Sequence, residues 1–187
     1  MRLKIAAVLC LMFVITGCAN SGGTVDRAVA LRNRILESDG CQFRTVITAD
    51  YGEDIYVFSM ECKTDREGNI TFSVLEPETI AGITGKITGN GGAITFDNQV
   101  LAFATMADGQ ITPVCAPWVF MKALRSGYLK DCMDVDGGFQ ISIDDSYAAD
   151  ALHLSIRMDE ENRPVAAEIF WQGRRVLVLT VEEFMYL

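Results

Sequence analysis

The sequence predicts an α+β domain in which one large curved antiparallel sheet of about ten strands wraps two helices. Three observations predict it. From Cys41 onward apolar side chains recur at every second position, the period of a strand with one buried face. Two segments, about 25–38 and Pro117 to Gly127, carry apolar residues at helical spacing instead. The strand-like runs are joined by short Gly-, Asn- and Asp-rich turns, which favour antiparallel neighbours. No repeat of 20–50 residues is visible.

Taken in order, the first element lies outside that domain. Met1-Arg2-Leu3-Lys4 is a basic start, Ile5 to Ile15 is an apolar run of eleven residues, and Thr16-Gly17-Cys18 closes it with small residues. These are the three parts of a secretory signal. The run is too short for a transmembrane helix of about 20 residues. Ile15-Thr16-Gly17-Cys18 resembles the lipobox of bacterial lipoproteins. That resemblance implies cleavage after residue 17, a diacylglyceryl group with palmitate-like chains on Cys18, and attachment to a bacterial membrane. The main alternative is an ordinary cleaved signal. With Ala19 after the cysteine, outer-membrane sorting is permitted in a Gram-negative cell. In a Gram-positive cell the anchor lies in the outer face of the cell membrane. Residues 18–23 then read as a small polar tether and 24–187 as the domain.

The tether leads to a helix over about 25–38, which Thr24 can cap and Gly40 can end. Strands follow near 42–49, 54–63, 70–76, 83–88, 93–97 and 99–104, with turns at Asp65 to Asn69 and Asn90-Gly91-Gly92. The glycines of Ile80 to Gly85 allow a bend or a bulge. Pro117 opens the second helix and Gly127 ends it, with Trp118, Phe120, Met121 and Leu124 between. Phe139, Ile141 and Ile143 alternate with polar residues. Leu152 to Met158, Val165 to Trp171 and about 174–184 continue the meander.

Removing the signal takes two of the 16 basic side chains and no acid, so the net charge falls from −9 to −11. An acidic chain repels phosphate backbones, which argues against nucleic acid as a partner. Cleavage and acylation would leave four cysteines free to pair: Cys41, Cys62, Cys115 and Cys132. An even number outside the cytoplasm suggests disulfides. If Tyr51-Gly52 forms a two-residue hairpin loop, facing residues have numbers that sum to 103, and Cys41 stands opposite Cys62. Cys115–Cys132 then follows by elimination. A metal site is the competitor, but the spacings of 21, 53 and 17 hold no close ligand pair.

The order of elements resembles the lipoprotein-carrier half-barrels of the LolA and LolB type, with their periplasmic sigma-factor regulators and acylated mycobacterial lipid carriers. The resemblance covers roughly 24–187 and rests on Glu76-Pro77 before the Ala81-Gly82 bend and on the Pro113 to Gly127 helix. It implies an unclosed barrel around a hydrophobic cavity that takes acyl chains. The family's gating arginine has one candidate here, Arg44. The strand register puts Arg44 on the polar face, so that role is not carried over.

Catalytic candidates are few. His153, the single histidine, reads as an exposed strand residue, and no Gly-x-Ser-x-Gly elbow exists. Asp134-Val135-Asp136-Gly137-Gly138 hints at calcium, but Asp145 stands where a binding loop needs glutamate. Asp144 and Asp145 are strand neighbours on opposite faces, which excludes paired-carboxylate work by these two. The reading is non-enzymatic, with no cofactor and no metal. The remaining candidate is the apolar face of Phe43, Ile47, Tyr56, Phe58, Met60, Phe72, Val74, Leu154, Ile156, Ile169 and Trp171, approached by Trp118, Met121 and Leu124 from the helix. It reads either as a plain core or as a site for a lipid or other hydrophobic ligand. The alternative is an envelope protein-interaction or sensory module with a filled core.

Overall fold

A computed structural model describes residues 21–89, 91–107 and 110–187. The signal, the lipobox and Cys18 lie outside the described residues. Helix α1 spans Ser21–Glu37, strand β1 Cys41–Asp50, β2 Ile55–Thr64, β3 Ile70–Glu76, β4 Thr84–Thr88, β5 Gly91–Phe96 and β6 Gln99–Phe103. A small hairpin, β7 (Met106–Ala107) with β8 (Gln110–Ile111), leads through a 3-10 turn at Pro113–Cys115 into helix α2, Ala116–Ser126. Strands β9 (Tyr128–Val135), β10 (Gly138–Asp144), β11 (His153–Asp159), β12 (Pro164–Trp171) and β13 (Arg174–Tyr186) complete the chain.

The sheet has eleven strands among the described residues, in the order β6-β5-β4-β3-β2-β1-β13-β12-β11-β10-β9. Every neighbouring pair is antiparallel, from β1 on β13 to β5 on β6. The first and last long strands thus meet at the centre, and each half of the sheet fans outward as a meander. The ends, β6 and β9, do not meet, so the barrel stays open. This is the curved α+β half-barrel expected from the periodicity.

Helix α1 already includes Ser21, Gly22 and Gly23, ahead of the expected start near 25. Thr24 is inside the helix and not its cap; it is buried, and its hydroxyl donates to Asp134 Oδ1 at 3.1 Å. Arg32 reaches from α1 to the end of α2 and donates to the carbonyls of Leu124 at 2.8 Å, Ala123 at 3.4 Å and Gly127 at 2.7 Å. These are carbonyls that a helix end leaves without intrahelical partners, and a cation suits that end of the dipole. Strand β9 was not expected. Its exposure follows no period of two, because it is an edge strand that α1 crosses.

The first hairpin corrects the expected register. Gln42 faces Lys63 and Asp50 faces Ile55, so the facing numbers sum to 105. Its loop holds four residues, Tyr51 to Asp54, closed by Tyr51 N–H donating to Asp54 O at 3.0 Å. The shift of two keeps every side chain on its expected face but moves Phe43, not Cys41, opposite Cys62. Cys41 lies beside Thr64, whose hydroxyl accepts from its amide at 2.7 Å. A disulfide needs Cβ atoms about 3.8 Å apart, and diagonal neighbours on a sheet stand farther apart than that. All four described cysteines, Cys41, Cys62, Cys115 and Cys132, are free thiols in this structure.

Candidate functional site

The helices fill one half of the concavity and leave the other half hollow. Against β1 and β9–β13 the space is occupied. Phe43 meets Phe120 edge-on with ring centroids 5.9 Å apart and stacks on Phe184 at 5.7 Å. Ile47, Met60, Phe72, Met121, Leu124, Leu154, Ile156 and Ile169 are all buried in this single core. They were candidates for ligand contact; the structure makes them packing. Trp171 is half-buried against the same core, beside a bulge in β12.

Helix α2 reaches the wing β2–β6 at its lower end, where Arg125 donates to Arg66 O at 2.8 Å, and leaves the upper end open. Here a cleft of about 730 Å³ opens between the upper ends of β2 and β3, the wing strands β5 and β6, and the segment Thr112 to Val114 that enters α2. Its volume falls in the range of about 300–1,000 Å³ usual for small-molecule sites. Tyr56, Phe58 and Val74 are the residues of the expected apolar face that line it, and the rest of the apolar wall was not foreseen: Ile55, Val57, Ile80, Ile83, Ile94, Leu101, Phe103 and Val114.

Local chemistry explains the hollow. Gly85 lies under the Phe72 ring and Gly92 under the Phe103 ring; a Cβ at either would fall within 2.5 Å of an aromatic carbon. Gly92 thereby leaves room for the ring of Phe103, which lines the cleft, while Gly85 does the same for Phe72 in the core beneath. The loop 77–83 folds back on β3 through Val74 N–H to Ile83 O at 2.8 Å and Gly82 N–H to Val74 O at 2.9 Å, setting Ile80 and Ile83 as one wall. Because β3 leaves β2 at Ser59, Ile55, Tyr56 and Val57 keep no β3 neighbour and stay exposed at the rim.

Polar groups in the cleft are few and mostly engaged. The Tyr51 hydroxyl donates to Ile111 O at 2.6 Å. Burial, with Tyr56 and Cys115 nearby, pushes this phenol up from its ordinary value. Behind it the Cys115 thiol is pushed up by burial to about 12. Both are therefore neutral at physiological pH, and the cleft presents no charge of its own.

A second, smaller recess of about 330 Å³ lies along α2, lined by Trp118, Lys122, Arg125 and Ser126 with Leu36 and the turn Glu67 to Asn69. Trp118, expected to reach the ligand from the helix, sits here instead, with the Lys122 ammonium 5.4 Å from its ring centre.

The other chemistry-bearing residues serve structure. His153 Nδ1 lies 2.9 Å from Asp144 Oδ1, across the β10–β11 pair. Among the described residues no hydroxyl or thiol hydrogen-bonds its other ring nitrogen. The hydrogen bond from His153, together with Lys130 at 3.2 Å, holds the Asp144 carboxyl below its ordinary value. Asp145 accepts from Leu152 N–H at 2.8 Å and meets Lys122 at 3.5 Å. Asp134, the first residue of the calcium-like run, accepts from Thr24 and lies 3.9 Å from Arg27. Arg44 meets Glu183 at 3.7 Å, with Glu61 and Glu182 beside it in the ladder. Among the described residues no cluster of three His, Cys, Asp or Glu is placed to hold a metal, and no helix is long and apolar enough to cross a membrane.

With an N-terminal helix, an unclosed antiparallel sheet, a second helix inserted before the last strands and an apolar hollow, the architecture is complete. This fold is an open antiparallel half-barrel around two helices. No protein-family model matches the chain, and no curated protein matches it in sequence. Solved structures similar to it include a LolA superfamily protein from Nitrosomonas europaea, 13% identical over 89% of this chain and 93% of that one, with a TM-score of 0.44. Lipoprotein LppX of Mycobacterium tuberculosis is 10% identical over 88% and 96%, with a TM-score of 0.44. LprF of Mycobacterium bovis is 8% identical over 88% and 93%, with a TM-score of 0.46. These likenesses lend no residue role to this chain.

Proposed function

We propose that this LolA-like protein is exported, tied to a bacterial membrane through a lipid on Cys18, and holds a hydrophobic ligand in the β2–β6 cleft without chemically changing it. The observation that supports the reading is the uncharged, apolar-walled hollow of about 730 Å³ in a domain whose other half is solidly packed. Burial is worth about 0.8 kcal/mol per methylene, so a dozen methylenes offer roughly 10 kcal/mol before costs. Association costs an estimated 4–15 kcal/mol, which such a chain offsets when the cleft is preformed.

The test is binding of the neutral probe N-phenyl-1-naphthylamine to the wild-type chain and to Leu101→Glu. Leu101 is 64% exposed on β6 yet lines the cleft, so a carboxylate there charges the wall and leaves the core alone. The expected result is saturable binding that weakens at least about tenfold in the variant, with an unchanged unfolding midpoint. Equal binding by both chains, or none by the wild type, refutes the reading.

A second reading, docking of an envelope protein, is supported by Phe96 and Val100, which are exposed on the β5–β6 hairpin outside the cleft. Val100→Lys would then weaken capture of that partner and leave probe binding intact.

A further inference from the structure

The ligand's chemical class follows from how the two recesses are arranged, given the cleft reading above. Pro113 and Val114 line the apolar cleft, while Trp118, Lys122 and Arg125 line the smaller recess. Trp118, Lys122 and Arg125 are spaced four and three apart and share the outward stripe of α2, and Val114 stands in the 3-10 turn just before it. The intervening Cys115 to Pro117, Val119 to Met121, Ala123 and Leu124 are buried. From Val114 to Lys122 the path covers about 12 Å at helical rise. One face therefore begins at an apolar hollow, passes an indole, and ends at two cations.

We infer that the ligand is an anionic amphiphile, with its hydrocarbon chain in the cleft and its single acidic head at Lys122 and Arg125. Two cations in one recess stand out in a chain of net charge −9. Arg125 spends one donor on Arg66 O at 2.8 Å and has donors left for a carboxylate or phosphate. Lys122 is 41% exposed at its side chain, and its ammonium has three donors, so a ligand head can join Asp145, itself 16% exposed, on the same cation. Glu67 is the one carboxylate among the lining residues and Asp145 the second acid beside Lys122, so a single negative head, rather than several, is what the two cations can share with them. Trp118 offers an apolar bridge between head and chain.

The test measures three ligands on the full-length chain: palmitate, hexadecanol with the same chain and no charge, and inorganic phosphate with no chain. Wild type should hold palmitate about tenfold tighter than hexadecanol, as a charge-assisted hydrogen bond supports. K122Q/R125Q should hold both equally, with hexadecanol affinity unchanged. If wild type binds hexadecanol as tightly as palmitate, the head-group inference is overturned and the cleft reading stands. If neither chain compound binds, both fall. If inorganic phosphate binds as tightly as palmitate, the recess is a free-anion site and the inference is wrong. If the double variant also loses hexadecanol, Lys122→Gln alone, which keeps Arg125 on Arg66, decides by the same ratio.

Discussion

Arg32 hydrogen-bonds α1 to the end of α2, and its removal should be felt in stability and in the site together. Its guanidinium makes two short hydrogen bonds, to Leu124 O and Gly127 O, and a longer one to Ala123 O. Burial lowers its pKa from the ordinary value, so part of its hydration has already been given up. Hydrogen bonds to a charged group are worth about 1.5–3 kcal/mol each. Two good ones, discounted for the exposed part of the side chain, give about 2–4 kcal/mol for Arg32→Met. In a domain of this size 1 kcal/mol moves the melting midpoint by roughly 2–4 °C, so the loss should read as about 4–16 °C. Arg32→Lys should recover less than half, because an ammonium has no planar fork with which to span carbonyls on both sides of the helix end. Urea unfolding of the three proteins measures this, and probe binding to the same samples reports whether α2 still holds Val114 at the cleft. A loss below about 0.5 kcal/mol for Arg32→Met would refute the reasoning, since the carbonyls would then be equally well served by water.

Other outcomes follow from particular groups. Cys18→Ala should move the protein from the membrane to the soluble fraction; unchanged fractionation refutes the anchor. Non-reducing peptide mapping should find Cys41 and Cys62 unlinked, because the register sets Phe43 opposite Cys62, and both thiols should resist alkylation until the chain unfolds. The lowered Asp144 carboxyl contributes stability that is complete above the unfolded carboxylate value near pH 3.9 and is lost as pH falls through the lower folded one. Asp144→Asn should therefore flatten the acid limb of stability and leave the neutral-pH melting point nearly unchanged, as befits a partly exposed network; an unaltered acid limb argues against it.

Strand existence was legible in the sequence because the period of two survives everywhere that one face is buried. Five of the six expected early strands match to within one residue at each end, and β5 starts two earlier. What failed depended on information that alternation does not carry. A four-residue loop in place of a two-residue one slides the register by two, which preserves every face and so leaves no trace in the pattern. Strand β9 was missed because its burial is set by α1 lying across an edge, which imposes no alternation on Tyr128 to Val135. The pairing of β1 with β13 joins the two ends of the domain, and local sequence holds no record of such a contact.

The candidate site failed in the same way, and the reason shapes where function can reside. Phe43, Ile47 and Met60 face the concave side as expected, but whether a concave position packs or lines a void is decided by the helix above it. Both helices gather toward β1 and β9–β13, with α1 on β9 and α2 on β10 and β13. The wing β2–β6 is buried at Met60, Ile70, Phe72 and Ile87 but keeps an open apolar surface at the upper ends of its strands, where Ile55, Tyr56, Val57 and Leu101 stay exposed. A sequence selected only for stability would fill such a hollow, since every cavity-sized gap costs roughly 1 kcal/mol or more. A void bounded by nine or more apolar side chains, with no charged residue among its lining, is an arrangement that any ligand filling it would stabilise by mass action.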